Sequence, residues 1–339
     1  MAELVLTENS LTFDTMDFQG NSIVFTVPGT ISIDNGVQTI TLPQNEVSQN
    51  QVLTISLVNG TNALTEYRLV NPIAAQSVMN LQDRLYVPLY IYPGVAPGGT
   101  VETAYVPMGE AFVTLEGRAD VVINPSSGFL TPPDLVAPNS DWVTGMNAMR
   151  TAAGAFWNNN QCYGYISTNF ANNVSPTTIA EITPRIDNYF NNGWDEWVGM
   201  IFFDEVSNDP SDYEFYEILL DHIALNHPGV KVTLNPGTAL YDQLVNHPLV
   251  QNVISLENTY AASIDPGNYQ PNTTQLLYHD PTKYISLINA IGTGENQKAI
   301  DTVTLNRQKN FGSFFAIPGA NYDDIEFLPV IVAKLQNPV

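Results

Sequence analysis

Basic residues are scarce in this sequence. Its 339 residues include 11 Lys and Arg against 34 Asp and Glu, which gives a formal net charge of −23 at pH 7. Nucleic acids and anionic membrane surfaces are therefore poor partners, because binding to phosphate and lipid headgroups depends on basic side chains. Solubility alone explains the acidic composition, and attraction of a cationic substrate is the more specific alternative.

Cysteine and long apolar runs are also nearly absent. The single cysteine, Cys162, excludes an intrachain disulfide, and its apolar surroundings favour a small core residue over a reactive thiol. Met1–Leu4 lack the basic start and apolar stretch of a signal peptide. No apolar run approaches the ~20 residues of a membrane span. We therefore expect a protein made without a signal peptide and without membrane insertion.

Several sequence motifs that identify a class of enzyme or a cofactor site are missing. No Gly-x-Gly-x-x-Gly follows a predicted strand, and no Gly-x-Ser-x-Gly elbow occurs, which argues against dinucleotide binding and against an α/β-hydrolase esterase. The four histidines, His222, His227, His247 and His279, form no H-x-x-x-H or H-x-H pair. The sequence therefore predicts no metal site and no cofactor.

Residues 1–70 show short alternating apolar and polar stretches separated by turn signals, of which Asn35-Gly36 is the strongest hairpin signal. This pattern predicts a small antiparallel all-β domain, a sandwich or barrel. We interpret it as a module for attachment or homo-oligomerisation; a plain β-cap on the next domain is the alternative. Residues 71–84 are predicted to be a linker.

From residue 85 to 339 strand patterns alternate with helical ones. The strand candidates are Leu85–Tyr92, Ala119–Asn124, Gln161–Thr168, Val198–Asp204, Lys231–Asn235, Val250–Glu257, Lys283–Ile291 and Ser313–Ile317. Helical patterns cover 142–153, 177–190, 212–225, 295–309 and 323–335, and a poorly defined first helix with Pro107 and Gly109 covers 101–117. This rhythm predicts an α/β fold, a (β/α)8 TIM-type barrel. A doubly wound open sheet is the runner-up.

The fourth predicted strand ends in two adjacent carboxylates, Asp204 and Glu205, after an apolar run that is buried on both faces. The sixth predicted strand ends at Glu257. Carboxyl ends of barrel strands meet at one rim, and two carboxylates there are what glycoside hydrolysis requires. The alternative for Asp204-Glu205 is a helix N-cap, for which Glu is poorly suited. Because consecutive strand residues point to opposite faces, only one of the pair is expected to face the substrate unless the chain turns.

Other strand ends carry amides, a hydroxyl and aromatic rings that suit a sugar. The Asn-Pro pairs at 124–125 and 235–236 present an amide at the rim, because proline keeps the preceding residue extended. Ordinary strand-end caps and core-filling rings are the competing interpretations. The predicted substrate-binding residues are Tyr90, Tyr92, Asn124, Tyr165, Thr168, Asn235, Asn258 and Tyr260.

Six blocks at these strand ends resemble spherulation-specific family 4 (spherulin 4-like) proteins, in the same order over about residues 85–335. They are Pro88–Pro93, Val122–Gly128, Gly164–Thr168, Gly199–Glu205, Leu234–Thr238 and Leu256-Glu257. The family is similar to (β/α)8 glycoside hydrolases that cut α-1,4-linked galactosamine polymers such as fungal galactosaminogalactan. The resemblance implies catalytic acids at Asp204, Glu205 and Glu257, and a polysaccharide as partner. The N-terminal module lies outside it.

Three functions fit these observations. The first is a glycosidase acting on an amino-sugar exopolysaccharide or capsule. The second is a structural or adhesion protein, a bacteriophage tail or other virion surface protein, whose N-terminal module attaches to a larger assembly. The third is a lectin-like barrel that binds glycan without cleaving it. The absence of a signal peptide together with a β module favours a virion or extracellular surface over a metabolic role in the cytosol.

Overall fold

The structure of the protein is a computed structural model, which describes seven strand segments between Val5 and Leu69 and residues 83–94, 96–128, 137–264, 281–308, 311–319 and 322–336. The chain divides into two compact units. Met1–Leu81 belong to the first unit, and Gln82–Leu276 with Asp280–Val339 make up the second. Each unit is described separately.

The first unit contains short antiparallel strands. Strands β1 (Val5–Thr7), β2 (Ser10–Met16) and β3 (Ser22–Val27) form one sheet, β4 (Thr30–Asp34) pairs with β5 (Val37–Thr41), and β6 (Leu53–Val58) pairs with β7 (Leu64–Leu69). Asp34 and Val37 are paired across the predicted Asn35-Gly36 turn. A single sandwich or barrel built from these strands, and its role in attachment, stay predictions.

The second unit is a closed barrel of parallel strands. They are β8 (Arg84–Leu89), β9 (Ala119–Ile123), β10 (Cys162–Ser167), β11 (Met200–Asp204), β12 (Val232–Leu234), β13 (Val250–Thr259), β14 (Tyr284–Asn289) and β15 (Ser313–Ala316). The last strand pairs with the first, with Ser313 opposite Arg84. This pairing confirms the (β/α)8 barrel and shows that the open-sheet alternative is wrong, since an open sheet would leave both edges unpaired.

Helices follow most strands on the outside of the barrel. They are α1 (Val106–Thr114), α2 (Ser140–Ala153), α3 (Ile179–Asn191), α4 (Tyr213–Asn226), α5 (Asp242–Val245), α6 (Tyr260–Ile264), α7 (Asn296–Gln308) and α8 (Leu328–Gln336). The strongest start signal belongs to α3, where Thr178 and Glu181 form a reciprocal capping box. Among the described helices none has the length and apolarity needed to cross a bilayer.

Helices α5 and α6 are absent from the sequence prediction, and the first and last predicted helices differ from it in detail. The first one forms despite Pro107, because a wide π-helical turn over Val101–Tyr105 precedes α1 and leaves the proline in the first turn of the α-helical part. The last helix begins at Leu328 rather than at Asp323. The Asp324 side chain accepts a hydrogen bond from the Glu326 backbone N–H at 2.7 Å, which fixes a turn in place of a helical start.

Aromatic side chains fill the inside of the barrel. The ring of Tyr86 lies 5.5 Å from that of Tyr163 and 6.4 Å from that of Phe202, and all three side chains are buried. Cys162 is also fully buried, which confirms the predicted core position, and this burial raises the pKa of its thiol. A barrel interior packed in this way leaves no channel for a substrate, so ligands have to bind at the ends of the strands.

Gly109 allows α1 and α2 to pack closely. A Cβ atom at this position would lie 2.4 Å from the backbone oxygen of Met149 and 2.6 Å from the Cβ of Ala152. We expect Gly109→Ala to destabilise the barrel by about 1–3 kcal/mol through overpacking, despite the better helix propensity of alanine. Urea unfolding followed by tryptophan fluorescence measures this unit, since all four tryptophans lie in it.

The control is Val113→Ala on the same helix, whose side chain is 43% exposed. This variant is expected to stay within about 0.5 kcal/mol of the wild type. A Gly109→Ala protein with an unchanged unfolding midpoint would contradict the packing described for this helix pair.

Candidate active site

Asp204 is the last residue of β11 and projects from the carboxyl end of the barrel. The apolar residues before it, Met200–Phe203, are buried, so the Asp204 carboxylate lies at the rim of the barrel, where the buried part of the strand ends. The Tyr165 hydroxyl donates a hydrogen bond to Asp204 Oδ2 at 2.8 Å, and Asn235 Nδ2 donates to Asp204 Oδ1 at 2.7 Å. Both oxygens of the carboxylate are therefore held by neighbouring strand ends.

Glu257 lies on β13 and is tied to the same amide. Asn235 Nδ2 donates to Glu257 Oε2 at 2.7 Å, and the Tyr322 hydroxyl donates to Glu257 Oε1. Asn235 itself is oriented by its side-chain oxygen, which accepts from the Gly237 backbone N–H at 2.9 Å. One buried amide nitrogen thus joins two carboxylates that are separated by 53 residues in the sequence.

The Asp204–Glu205 step departs from strand geometry. Glu205 has a φ of 52°, in the left-handed region that residues with a Cβ rarely occupy. Because the chain turns there, the carboxylates of both residues line one cleft instead of pointing to opposite faces. The Ser167 hydroxyl donates to Glu205 Oε2. The sequence left open whether both acids could face the substrate, and this turn is what brings them to the same side.

Thr168 and Phe170 hold this strained turn. The backbone N–H and the hydroxyl of Thr168 both donate to the backbone oxygen of Asp204 at 2.9 Å, and the hydroxyl also lies 2.9 Å from the Glu205 oxygen. The Phe170 N–H donates to the Glu205 oxygen at 2.6 Å. Backbone strain persists where the surroundings over-determine it, and this cluster is such a case.

The acids open onto a cleft of about 420 Å³. It is lined by Phe170, Asp204, Glu205, Asn235, Pro236, Gly237, Glu257, Asn258, Thr259 and Asn289. A larger cavity of about 720 Å³ lies at the amino ends of the strands, where Arg84 forms a bidentate ion pair with Asp120. That pairing neutralises the acid, so the smaller cleft with its three carboxylates is the candidate active site.

Burial dominates the electrostatic environment of Asp204. Burial raises the pKa of Asp204 to about 6; the hydrogen bond from Tyr165 opposes this shift and the negative charge of Glu257 adds to it. Burial also raises the pKa of Tyr165 and of Tyr322, so both phenols stay protonated and keep donating to the acids. A carboxyl group that holds its proton near neutral pH can serve as an acid.

Several predicted substrate-binding residues lie in or directly behind the cleft. Asn235 and Asn258 line it, Tyr165 binds Asp204, and the Tyr90 ring packs 5.4 Å from Tyr165. Their roles toward a substrate stay predictions.

Four other predicted substrate-binding residues are not among those that line the cleft. Thr168 has no exposed surface and binds the backbone of the acids, so its position corrects the expected substrate contact to a positioning role. Tyr92 donates to Asp141 at 2.7 Å at the start of α2. Tyr260 packs under the Lys298 ammonium, 5.5 Å from its ring centroid. Asn124 has a buried side-chain oxygen without a hydrogen-bond partner among the described residues. Tyr92, Tyr260 and Asn124 do not line the cleft, and their roles toward a substrate stay predictions.

Residues that sequence reasoning missed complete the site. Tyr322 follows the last strand, Asn289 ends the seventh, and Phe170 follows the third with 58% of its surface exposed. Tyr322 and Asn289 could have been predicted from the sequence, because the rule that functional groups lie at the carboxyl ends of strands applies to the last two strands as well. Nothing in the sequence marks Phe170 as an exposed ring.

Fold and site together define a class: a (β/α)8 barrel with a carboxylate-lined cleft at the carboxyl ends of its strands. The chain belongs to spherulation-specific family 4, whose sequence model, Spherulin4, matches residues 84–326. Spherulin-4 of Physarum polycephalum is 30% identical over 157 residues, which cover 46% of this chain and 39% of that protein's length. The family resemblance in the strand-end blocks is thereby confirmed.

A solved structure has the same fold. Sph3 of Aspergillus clavatus, crystallised in complex with GalNAc, superposes with a TM-score of 0.54 at 20% identity, covering 74% of this chain and 97% of that one. The catalytic module of a family 98 glycoside hydrolase from Streptococcus pneumoniae TIGR4, in complex with the LewisY pentasaccharide blood group antigen, gives a TM-score of 0.38 at 14% identity, covering 77% and 53%. The second match is too distant to carry an argument.

The raised pKa of Asp204 makes stability depend on pH. The folded state binds the proton more tightly than the unfolded chain, where the pKa of Asp is about 4. The stability present below pH ~4 is therefore lost as the pH rises toward the folded pKa of about 6. Asp204→Asn removes this loss, and its amide still fits between Tyr165 and Asn235. We expect the variant to be about 1–3 kcal/mol more stable above pH 6, the difference shrinking below pH 4.

Chemical denaturation of wild type and variant across pH 3–8 measures this difference. Asp221→Asn, at an exposed acid on α4, is the control and should follow the wild-type curve. A difference between Asp204→Asn and wild type that grows as the pH falls would contradict the assigned protonation.

Proposed function

We propose that the barrel is a glycoside hydrolase that cleaves an amino-sugar polysaccharide, with Asp204 and Glu257 as the reacting pair. The observation that carries the proposal is the shared amide: Asn235 Nδ2 lies 2.7 Å from an oxygen of each carboxylate, at the rim of an open cleft. Two carboxyl groups in different environments at one site are the arrangement that glycosidic bond cleavage uses.

The two acids divide the work according to their surroundings. Asp204, whose pKa burial raises to about 6, gives its proton to the glycosidic oxygen as the bond to the anomeric carbon breaks. Glu257 is oriented by the hydrogen bonds that it accepts from Tyr322 and Asn235, and its carboxylate attacks the anomeric carbon. Water then cleaves the glycosyl–enzyme ester, and Asp204 takes the proton back as general base.

The separation of the acids favours retention of configuration. Asp204 Oδ1 and Glu257 Oε2 each lie 2.7 Å from Asn235 Nδ2, so these two oxygens are at most 5.4 Å apart, twice that distance. Retaining glycosidases hold their carboxyl groups about 5–5.5 Å apart, whereas inverting ones leave about 6.5–9.5 Å for a water molecule. The shorter separation therefore leaves too little room for the attacking water of an inverting mechanism.

The remaining groups of the cleft suit an amino sugar. Phe170 offers an exposed ring on which the apolar face of a sugar can stack. Glu205 supplies a third carboxylate that can pair with a protonated amine. The net charge of −23 would draw a cationic, partly deacetylated galactosamine polymer toward the protein. Sph3 of Aspergillus clavatus, which has a similar fold, was crystallised with GalNAc, which supports the same substrate class.

The first test replaces each acid by its amide. We expect Glu257→Gln and Asp204→Asn to lower kcat by about 10²–10⁴-fold on a purified α-1,4-galactosamine polymer, because each removes a nucleophile or a proton donor. Product release is measured by reducing ends and by mass spectrometry of the oligosaccharides.

Glu110→Gln, an exposed acid on α1, is the matched control and should retain wild-type turnover. Turnover at the wild-type level in both acid variants would remove Asp204 and Glu257 from the mechanism. Polymer binding by the wild type without any product would favour the lectin-like barrel over the enzyme.

The second test follows the stereochemistry. With an α-linked polymer, ¹H NMR of the first product formed should show the α-anomer of the new reducing end before mutarotation, as the short carboxylate separation requires. A β-anomer that appears first would exclude Glu257 as the attacking group and would assign it to activating a water molecule.

For the N-terminal unit we propose attachment or homo-oligomerisation, with the whole chain acting at a virion or extracellular surface. The proposal is supported by the sequence pattern of residues 1–70 and by the antiparallel strands of this unit. An adhesion protein whose barrel binds glycan with little hydrolysis is the alternative, and the polymer assays above separate the two.

A further inference from the structure

A second cluster of chemically reactive side chains lies on the outer helices. Asp187 belongs to α3, His222 belongs to α4, and His227 directly follows the end of α4. Asp187 Oδ1 lies 2.8 Å from His222 Nε2 and 2.7 Å from His227 Nε2. None of the three residues lines the cleft with the acids.

We propose that Asp187, His222 and His227 form a binding site for one divalent transition-metal ion of the zinc class. Their three ligand atoms all lie within 4.8 Å of one another. Imidazole nitrogen and carboxylate oxygen are the donors that Zn²⁺ and its neighbours in the series take. Tetrahedral coordination at about 2.0–2.1 Å needs ligand atoms about 3.3 Å apart, so the two Asp187–histidine distances would lengthen by about half an ångström. The two histidine nitrogens lie within 4.8 Å of each other and would settle at the same spacing.

Burial fits a three-ligand site with one open position. The side chain of His227 is 7% exposed, and its ring lies 4.7 Å from that of Phe190, which holds it in place. Asp187 and His222 are partly exposed, which leaves room on the outer side for a water molecule as fourth ligand.

The helix ends favour positive charge at this place. Asp187 is in the last turns of α3, and both histidines are at the carboxyl end of α4, whose terminal backbone carbonyls carry partial negative charge. The His227 N–H closes the last turn of α4 by donating to the Ile223 oxygen at 2.8 Å. A bound cation would therefore connect the ends of two neighbouring helices and stabilise the folded barrel.

The spacing of these three residues in the sequence does not indicate a metal site. His222 and His227 are five positions apart, a spacing that an uninterrupted helix does not bring to one face, and Asp187 precedes His222 by 35 residues. The ligands meet because the chain leaves the helix at His227 and because α3 packs beside α4. The prediction of no metal site rested on local spacing alone.

The experiment titrates tag-free, chelator-stripped full-length protein with Co²⁺. We expect one Co²⁺ per chain with the strong visible absorption of a tetrahedral complex, which one equivalent of Zn²⁺ displaces. Weak binding to surface carboxylates gives the faint absorption of octahedral Co²⁺ instead. Such faint absorption alone, or no saturation at one equivalent, would overturn the proposal.

Conservative variants separate ligation from hydrogen bonding. His222→Gln and His227→Gln keep a hydrogen-bond donor for Asp187 but lose the imidazole ligand, and each should weaken Co²⁺ binding by more than about tenfold. His247→Gln, at a histidine whose Nδ1 accepts from the Leu249 N–H, is the matched control and should bind like wild type. Equal affinity in all four proteins would show that the cluster is only a hydrogen-bonded clamp.

Thermal unfolding gives a second readout that needs no spectral change. Zn²⁺ should raise the Tm of wild type and of His247→Gln, and should leave His222→Gln unchanged, because only a native-state site shifts the folding equilibrium. An increase in Tm of the same size in His222→Gln would assign the effect to other groups and would refute the site.

Discussion

The structure of the cleft depends on one amide nitrogen. Asn235 Nδ2 donates both of its hydrogens to carboxylates, one to Asp204 and one to Glu257, at 2.7 Å each. Two anions at this distance would repel each other strongly in a partly buried site, and the shared donor offsets part of that repulsion. Burial raises the pKa of Asp204, and the negative charge of Glu257 adds to that shift. The short separation of the two carboxylates destabilises the folded state, and the proposed cleavage of a glycosidic bond requires the same short separation.

The second constraint is the turn after β11. Glu205 occupies a left-handed conformation that only a rigid surrounding can maintain, and Thr168 supplies that surrounding through its hydroxyl and its N–H. A buried threonine at the end of one strand therefore fixes the direction of two acids at the end of the next. Residues of this kind touch no substrate, yet the geometry of the site depends on them.

Family membership and fold agree on where such residues lie. The six blocks that relate this chain to spherulation-specific family 4 are strand ends, and the match over residues 84–326 covers the barrel while leaving out the N-terminal unit. In a (β/α)8 barrel the carboxyl ends of the strands carry functional groups, whereas the opposite face contributes to stability. The proposed metal cluster lies on outer helices and would serve stability, whereas the proposed chemistry belongs to the cleft at the strand ends.

The sequence by itself determined the elements and the type of rim. Alternating strand and helix patterns predicted eight strands that the closed barrel contains, and the abrupt end of a buried strand marked Asp204 as a group meant for the surface of the barrel. The local pattern predicts these strands correctly because a run of consecutive apolar residues is enough to indicate a buried strand. The last helix was placed five residues too early because a side-chain turn at Asp324 overrides helix propensity.

Only the tertiary structure decided which side chains meet. The bridge from Asn235 to both acids, the phenol of Tyr322 on Glu257 and the convergence of Asp187 with two histidines join residues that are far apart in the chain. Sequence spacing cannot report these pairs, because barrel closure and helix packing set the distances between elements. Chain order fixed where each group leaves its strand or helix, and packing fixed what it faces.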